Sequence, residues 1–130
     1  MNFKPNYPIY LQVADVICEK LLKDEWRNGD KLPALKDLAV TTSVNPNTVI
    51  KSLGYLVDNN ILSTQRGVGY FLTDNARAIT MELKRKQFID EVLPEVFASM
   101  DLLGLGLDSL SRIYEQRAAA AAAKAGSNGK

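Results

Sequence analysis

The sequence contains no histidine and a single cysteine, Cys18. Histidine is the commonest general base and the commonest metal ligand, so its absence removes the Ser–His type of nucleophile activation. One cysteine without histidine also excludes a structural zinc site, and it cannot form a disulfide within the chain. We therefore predict a protein that is not an enzyme, without catalytic residues, metal or cofactor.

Long apolar runs are missing as well. No stretch approaches the roughly 18 apolar residues that suggest a membrane span, and the first residues lack the features of a signal peptide. Hydrophobic residues make up 46% of the chain and charged residues 24%, which is ordinary for a globular protein. Together with the single cysteine, these features predict a cytoplasmic protein with no membrane partner.

An excess of positive charge is also absent. The chain has 16 basic and 15 acidic residues, and residues 1–74 contain eight of each. Bulk charge alone does not suggest a nucleic-acid partner. Any DNA-binding surface in this chain must come from the placement of a few cations.

Hydrophobic periodicity predicts three helices in the first part of the chain. The first spans residues 8–27, and the second spans residues 34–42. A tight connection then leads to the third. The inward-facing residues are Ile9, Val13, Ile17 and Leu21 on the first helix, Leu35, Leu38 and Ala39 on the second, and Val49, Leu53, Leu56 and Val57 on the third.

The third helix has the sharpest local signal. Asn45 is a good N-cap because its side-chain oxygen can accept an orphan backbone N–H. Pro46 suits the next position, where its missing N–H costs nothing. The third helix is predicted to end near Asn59. On the first helix, Trp26 and Cys18 are predicted to be structural residues. The outward-facing residues of the third helix are Asn47, Thr48, Lys51, Ser52 and Tyr55.

Two short strand signals follow, at residues 61–65 and 70–72, around a turn with two glycines. Three helices and then a hairpin is the order of a winged helix-turn-helix. In that arrangement two helices brace a third, whose N-terminal half enters a major groove, while the hairpin tip reaches the neighbouring backbone or minor groove.

Four segments of this stretch resemble the DNA-binding domain of the GntR family of bacterial regulators. PIYLQV at residues 8–13 is similar to the family's P-x-Y-x-Q-[IV], and GDKLPALKDLA at residues 29–39 to its G-x-x-L-P-S-x-R-x-L-A. VNPNTV at residues 44–49 resembles the run typical of the YtrA-like subfamily, and RGVGYFL at residues 66–72 resembles the family's wing, R-G-x-G-[TY]-[FY]-[VL].

The resemblance implies DNA-binding roles for residues at matching positions. Lys36 stands where the family has an arginine. The lysine keeps the positive charge but lacks the fork of N–H donors with which arginine makes bidentate contacts. Ala34 replaces a serine cap, and Ile50 stands where a polar or basic residue is common. Asn45 can be a cap alone or a cap and a base contact, and both readings stay open. The DNA-binding residues that we predict are Lys36, Asn45, Pro46, Asn47, Thr48, Lys51, Arg66 and Gly67.

Residues 75–117 predict a second, helical unit. Apolar positions recur from about residue 75 to residue 101, and Pro94 should kink this helix or restart it. Residues 103–106 break it, and another helix begins near Leu107. Residues 118–130 form a low-complexity tail, in which alanines extend the helix and residues 126–130 are expected to fray.

So short a unit cannot bury this much apolar surface alone, so it must pack on the winged domain or on a partner. It is similar to the YtrA-like dimerisation arm, which implies a homodimer on an inverted-repeat operator, with intramolecular packing in a monomer as the alternative. The predicted dimerisation residues are Ile79, Leu83, Ile89, Leu93, Phe97, Leu110 and Ile113.

The predicted fold is mainly α with a small β-hairpin, a winged helix-turn-helix domain over residues 1–74 followed by a short two-helix dimerisation arm. The predicted function is sequence-specific binding of double-stranded DNA as a homodimeric repressor. A winged-helix protein-interaction scaffold is the alternative, although the polar outward face of the third helix favours DNA. Any small-molecule effector is expected at the junction of arm and winged domain or between protomers.

Overall fold

The computed structural model describes residues 6–128, with side chains for residues 6–125. The elements in chain order are helices α1 (Ile9–Leu22), α2 (Leu35–Thr42) and α3 (Pro46–Asp58), strands β1 (Leu62–Gln65) and β2 (Gly69–Leu72), helix α4 (Ala76–Gln87), a π-helical segment (Phe88–Val92), and helices α5 (Leu93–Leu103) and α6 (Leu107–Asn128). This order confirms the predicted fold, mainly α with one small hairpin. None of the helices in the described range is both long and apolar enough to span a membrane.

The chain divides into two compact units, one extending to Arg85 and the other beginning at Lys86. The sequence analysis places the boundary after residue 74, before α4. The first unit extends further because α4 contributes to its core. Ala76 and Thr80 are fully buried, and Ile79 and Leu83 pack against the buried cluster.

The core of the first unit forms where α1, α3 and the hairpin meet. Leu21, Leu53, Leu56 and Ile61 are each fully buried. Burial of one such side chain contributes roughly 1.5–3 kcal/mol to stability. The burial of these four side chains therefore contributes to holding α3 against α1 and the hairpin.

Helix α1 is shorter than predicted, since it ends at Leu22 rather than at residue 27. The chain leaves the helix because Asp24 has a φ of +62°, in the left-handed region. The N–H groups of Glu25 and Trp26 both turn back to the Lys20 carbonyl, at 2.9 and 3.3 Å. Trp26 thus lies in a turn after the helix, and not on it as predicted.

The hairpin is broader than its two strands. β1 and β2 pair antiparallel, with Gln65 opposite Gly69. The segment before α2 lies along the other edge of β2, where Lys31 bridges Phe71 and the Leu32 N–H donates to the Tyr70 carbonyl at 2.9 Å. This segment therefore connects the hairpin to the start of α2, a contact that no local sequence pattern predicts.

In the second unit, the helix changes from α-helical to π-helical winding just before Pro94. A proline has no N–H and clashes with the carbonyl four residues earlier, so a regular α-helix cannot pass through it unchanged. The chain adopts the π-helical segment and then begins α5 with Leu93 and Pro94 as its first two residues. Pro94 is therefore the second residue of α5 and not the first, as the predicted restart required, and the helical backbone continues from α4 through the π-helical segment without a break. Gly104, with φ +70°, ends α5, and α6 begins at Leu107 as predicted.

Helix α6 runs through the alanine repeat to Asn128. It therefore continues past residue 126, where fraying is predicted from the glycine content. Residues 129 and 130 of the predicted tail lie outside the described residues.

Candidate nucleic-acid interface

The start of α3 is built by its first three residues. The Asn45 side-chain oxygen accepts the Asn47 N–H at 2.8 Å, and Pro46 is the first helical residue. The predicted cap is confirmed. Asn45, Pro46 and Asn47 are exposed, and Thr48 is half-buried. Only the backbone N–H of Asn47 takes part in the cap, so its amide side chain is available at the helix N-terminus.

Ser52 was predicted to face outward, and this prediction is wrong. Its side chain is fully buried, and its hydroxyl donates to the Tyr10 carbonyl at 2.6 Å. A serine is small enough to lie where α3 crosses α1, and the hydrogen bond satisfies its hydroxyl. Tyr55 is half-buried, and its ring meets Tyr10 edge-on at a centroid distance of 6.3 Å.

Helices α2 and α3 are joined by a turn at Ser43, which has a φ of +56°. The Val44 N–H donates back to the Ala39 carbonyl at 3.1 Å, which closes the end of α2. Lys36 lies exposed in the first turn of α2. The helix-turn-helix thus presents Lys36 near one helix N-terminus and Asn47 near the next.

A shallow, mainly apolar concavity of about 510 Å³ lies between α2 and the start of α3. It is lined by Leu35, Lys36, Ala39, Val40, Val44 and Pro46. Ile50, on the exposed side of α3, is 45% exposed. Apolar groups beside polar recognition groups can contact thymine methyl groups in a major groove.

The hairpin tip carries Arg66 and Gly67, both exposed. The Val68 N–H donates to the Gln65 carbonyl at 2.9 Å, which closes the turn. Gly67 has a φ of +77° in this turn, a conformation that glycine adopts at little cost. The narrow tip leaves the Arg66 side chain projecting from the protein surface.

Some charged side chains of the first unit form ion pairs and others do not. Four carboxylates on or just after α1 pair with cations: Asp15 with Lys84, Glu19 with Lys23, Asp24 with Arg77, and Glu25 with Lys20. Across residues 6–128, Lys31, Lys36, Lys51 and Arg66 take part in no ion pair. These four cations of the helix-turn-helix and the hairpin are therefore not held in ion pairs, and within the same described residues neither are Asp37 of α2 and Asp58 of α3.

The structure separates the predicted dimerisation residues into two groups. Ile79 and Leu83 are half-buried and pack against the core of the first unit, so packing within the chain accounts for them. In the second unit, Ile89, Phe97 and Ile113 are exposed, and Leu93 and Leu110 are half-buried. The other exposed large apolar residues of the second unit are Phe88, Val92, Leu102, Leu103, Leu105, Leu107 and Tyr114.

No group of three or more residues suited to holding a metal ion occurs in the part of the chain that the structure describes. The site consists instead of a capped helix N-terminus, unpaired cations and an exposed hairpin tip. Together with the order of its elements, this arrangement defines a winged helix-turn-helix, a class of DNA-binding module.

Comparison with known proteins narrows this class. Residues 9–72 match the model of the bacterial regulatory proteins of the gntR family. The HTH-type transcriptional regulator YhcF of Bacillus subtilis is 40% identical over 104 residues, which cover 80% of this chain and 84% of YhcF. The HTH-type transcriptional repressor YtrA of the same organism is 35% identical over 103 residues, which cover 79% of this chain and 78% of YtrA.

Two solved structures extend the similarity to nearly the whole chain. A GntR-family regulator from Bacteroides thetaiotaomicron is 29% identical with a TM-score of 0.70, covering 84% of this chain and 95% of that one. A GntR-family regulator from Listeria monocytogenes is 25% identical with a TM-score of 0.70, and the match covers 88% of this chain and 98% of that one. The chain belongs to the GntR family, and its similarity to YhcF and YtrA supports the YtrA-like subfamily. It is a transcriptional regulator with a DNA-binding domain, in a family that is not enzymatic.

Proposed function

We propose that the chain is a homodimeric repressor that binds an inverted-repeat operator in the cytoplasm. The observation that carries this proposal is the set of unpaired cations beside the exposed, capped start of α3. The repressor role is supported by the similarity to YtrA, which is named as a transcriptional repressor. An operator-bound dimer of this kind blocks a promoter by occupying it.

In the proposed complex, the N-terminal half of α3 enters the major groove. Asn47 is suited to base edges there, because an amide can both donate and accept. Thr48, Lys36 and Lys51 are suited to phosphates, which fix the register of the protein on the duplex. Arg66 at the hairpin tip then reaches the adjacent backbone or minor groove, with Gly67 shaping the turn.

The proposed dimer forms through the second unit. Phe97 is 49% exposed and Ile113 is 55% exposed, together with the other apolar residues of α5 and α6. Exposed apolar patches of this extent mark interaction surfaces. A twofold dimer places two recognition helices on successive major-groove faces, about 34 Å apart.

Fluorescence anisotropy of the full chain against its own upstream DNA, with a scrambled duplex as control, tests the DNA-binding proposal. We expect selective binding by two protomers per duplex, weakened by Lys36→Ala and by Arg66→Ala. Lys23→Ala is the matched control, because Lys23 pairs with Glu19 on α1. Equal binding of both duplexes would count against a specific operator in that DNA, and no binding at low salt would favour the scaffold alternative.

Sedimentation equilibrium tests the dimer. We expect Phe97→Glu to shift the protein towards monomer, because a carboxylate in an apolar interface loses its hydration without a partner. Ala119→Glu, at an exposed position on the opposite face of α6 from Leu110 and Ile113, is the control for one added negative charge. A wild-type protein that is monomeric at operator-saturating concentration would overturn the dimer. That a small molecule regulates the protein stays a prediction. Equal operator affinity in the presence of every compound of a metabolite panel would contradict it.

A further inference from the structure

We propose that Lys31 is a further DNA-contacting residue, a phosphate-binding cation carried on the side of the hairpin and positioned by Gly69. The inference rests on the proposed function, because it adds a contact to the same interface. Neither the sequence motifs nor the outward face of α3 draws attention to this lysine. Its placement depends on the third edge that the segment before α2 forms along β2.

The direction of the Lys31 side chain follows from its neighbours. Lys31 is paired with Phe71, yet its Cε lies 3.2 Å from the position that a Cβ on Gly69 would occupy. Gly69 is two residues closer than Phe71 to the hairpin tip. The lysine stem therefore runs along β2 towards the tip that carries Arg66.

Gly69 makes this course possible. A side chain at residue 69 would press on the lysine stem at a separation tighter than ordinary van der Waals contact. Gly69 also has a φ of +143°, which side chains rarely allow. The absent side chain leaves room for the Lys31 stem to pass over residue 69, and because Lys31 is exposed its ammonium group reaches solvent.

The charge of Lys31 is not used within the chain. It takes part in no ion pair within residues 6–128. The neighbouring Asp30 carboxylate accepts the Arg27 N–H at 2.8 Å instead. A cation without an ion-pair partner has no internal pair to break when it binds an anion, which favours binding.

Lys31 is also connected to both parts of the proposed interface, the hairpin and the helix-turn-helix. It lies in the chain segment that connects the hairpin edge to α2, joined to the hairpin by its bridge to Phe71 and followed along the chain by Lys36 of the first helical turn. Duplex DNA presents a phosphate about every 3.4 Å of axis along each strand. A DNA strand that passes from the helix-turn-helix to the hairpin tip thus offers phosphates to a cation between them.

Anisotropy titrations of the full chain over a range of salt concentrations test the proposal on both the operator and the scrambled duplex. Lys31→Met keeps the apolar stem over Gly69 and removes the charge. We expect the slope of log affinity against log salt to fall by about one per protomer, with similar weakening on both duplexes, as for loss of a phosphate contact. Lys31→Arg should retain the slope. Lys23→Met removes a charge that is paired on α1 and should also retain it.

An unchanged slope for Lys31→Met, or the same fall for Lys23→Met, would overturn the proposal. A thermal melt of each variant separates loss of contact from loss of fold. If the wild type binds both duplexes equally, the proposed operator function fails for that DNA, and the slope on the scrambled duplex still tests Lys31. If the operator is bound selectively and the slope is unchanged, only the Lys31 contact fails.

Discussion

The Lys51 ammonium nitrogen lies 4.4 Å from the centroid of the Tyr10 ring. A cation of α3 is thereby held over an aromatic side chain at the start of α1. Tyr10 is itself braced by Tyr55, whose ring meets it at an interplanar angle of 75°. A lysine held in this way has fewer rotamers to lose on binding DNA than a free surface lysine.

We therefore expect Tyr10→Leu to weaken operator binding more than Tyr10→Phe does. A cation–π contact contributes about 0.5–1 kcal/mol at an exposed site, which corresponds to about a two- to fivefold change in affinity. Phenylalanine keeps the ring, and leucine does not. The measurement is anisotropy at fixed salt, repeated in a Lys51→Ala background. A difference between the two variants that persists without Lys51 would show that Tyr10 acts through another residue.

The sequence predicts those parts of the interface whose cause is local. The Asn45 and Pro46 pair specifies the start of α3 because both effects act within one helical turn. The hairpin turn is equally local, since Gly67 supplies the positive φ between Gln65 and Val68. Both were predicted, and the structure contains both.

Features that depend on another part of the chain were missed. Ser52 is polar, so periodicity assigns it outward, but its partner is the Tyr10 carbonyl 42 residues away. Ile9 continues the apolar stripe of α1 and is nevertheless 59% exposed, because α3 meets α1 at Tyr10 instead. The edge formed by Lys31 along β2 has no signal in local sequence.

Asn45 allows the two readings of its role to be separated. We expect Asn45→Ala to lower the free energy of unfolding by about 1 kcal/mol, because the Asn47 N–H loses its acceptor. Asn45→Ser should preserve stability, since a hydroxyl can also cap the helix. Urea denaturation and operator titration measure the two properties. We expect the serine variant to bind within about twofold of wild type, because the cap already uses the side-chain oxygen. A stable serine variant with strongly reduced affinity would assign Asn45 a base contact in addition.

Two glycines of the first unit form a matched pair for stability. A Cβ at Gly54, within α3, or at Gly29, before α2, would have no heavy atom within 4 Å. The two positions differ in backbone conformation, because Gly29 has a φ of +86° and Gly54 is helical. We expect Gly54→Ala to raise the free energy of unfolding by about 1 kcal/mol, and Gly29→Ala to lower it by a similar amount or more. Urea denaturation measures both, and changes of the same sign would contradict the argument from conformation.

Cys18 gives the first unit a predictable weakness at alkaline pH. Burial, which leaves the residue 1% exposed, raises the pKa of its thiol from 9.0 to about 11; nearby Lys84 opposes this shift and Asp15 adds to it. As pH rises above 9, the unfolded chain loses the thiol proton while the folded chain retains it, so the folded state loses relative stability. The loss should accumulate between pH 9 and about 11 and reach about 2–3 kcal/mol.

The comparison of wild type with Cys18→Ala isolates this effect, because all other titrating groups are common to both proteins. Below pH 9 the difference in unfolding free energy between the two should be constant, since the thiol is protonated in both states. Above pH 9 the wild type should lose its advantage progressively, as measured by urea denaturation at a series of pH values. A difference that stays constant through pH 11 would mean that the folded protein exposes the thiol to solvent or stabilises its thiolate, and the buried position of Cys18 between α1 and α4 would have to be revised.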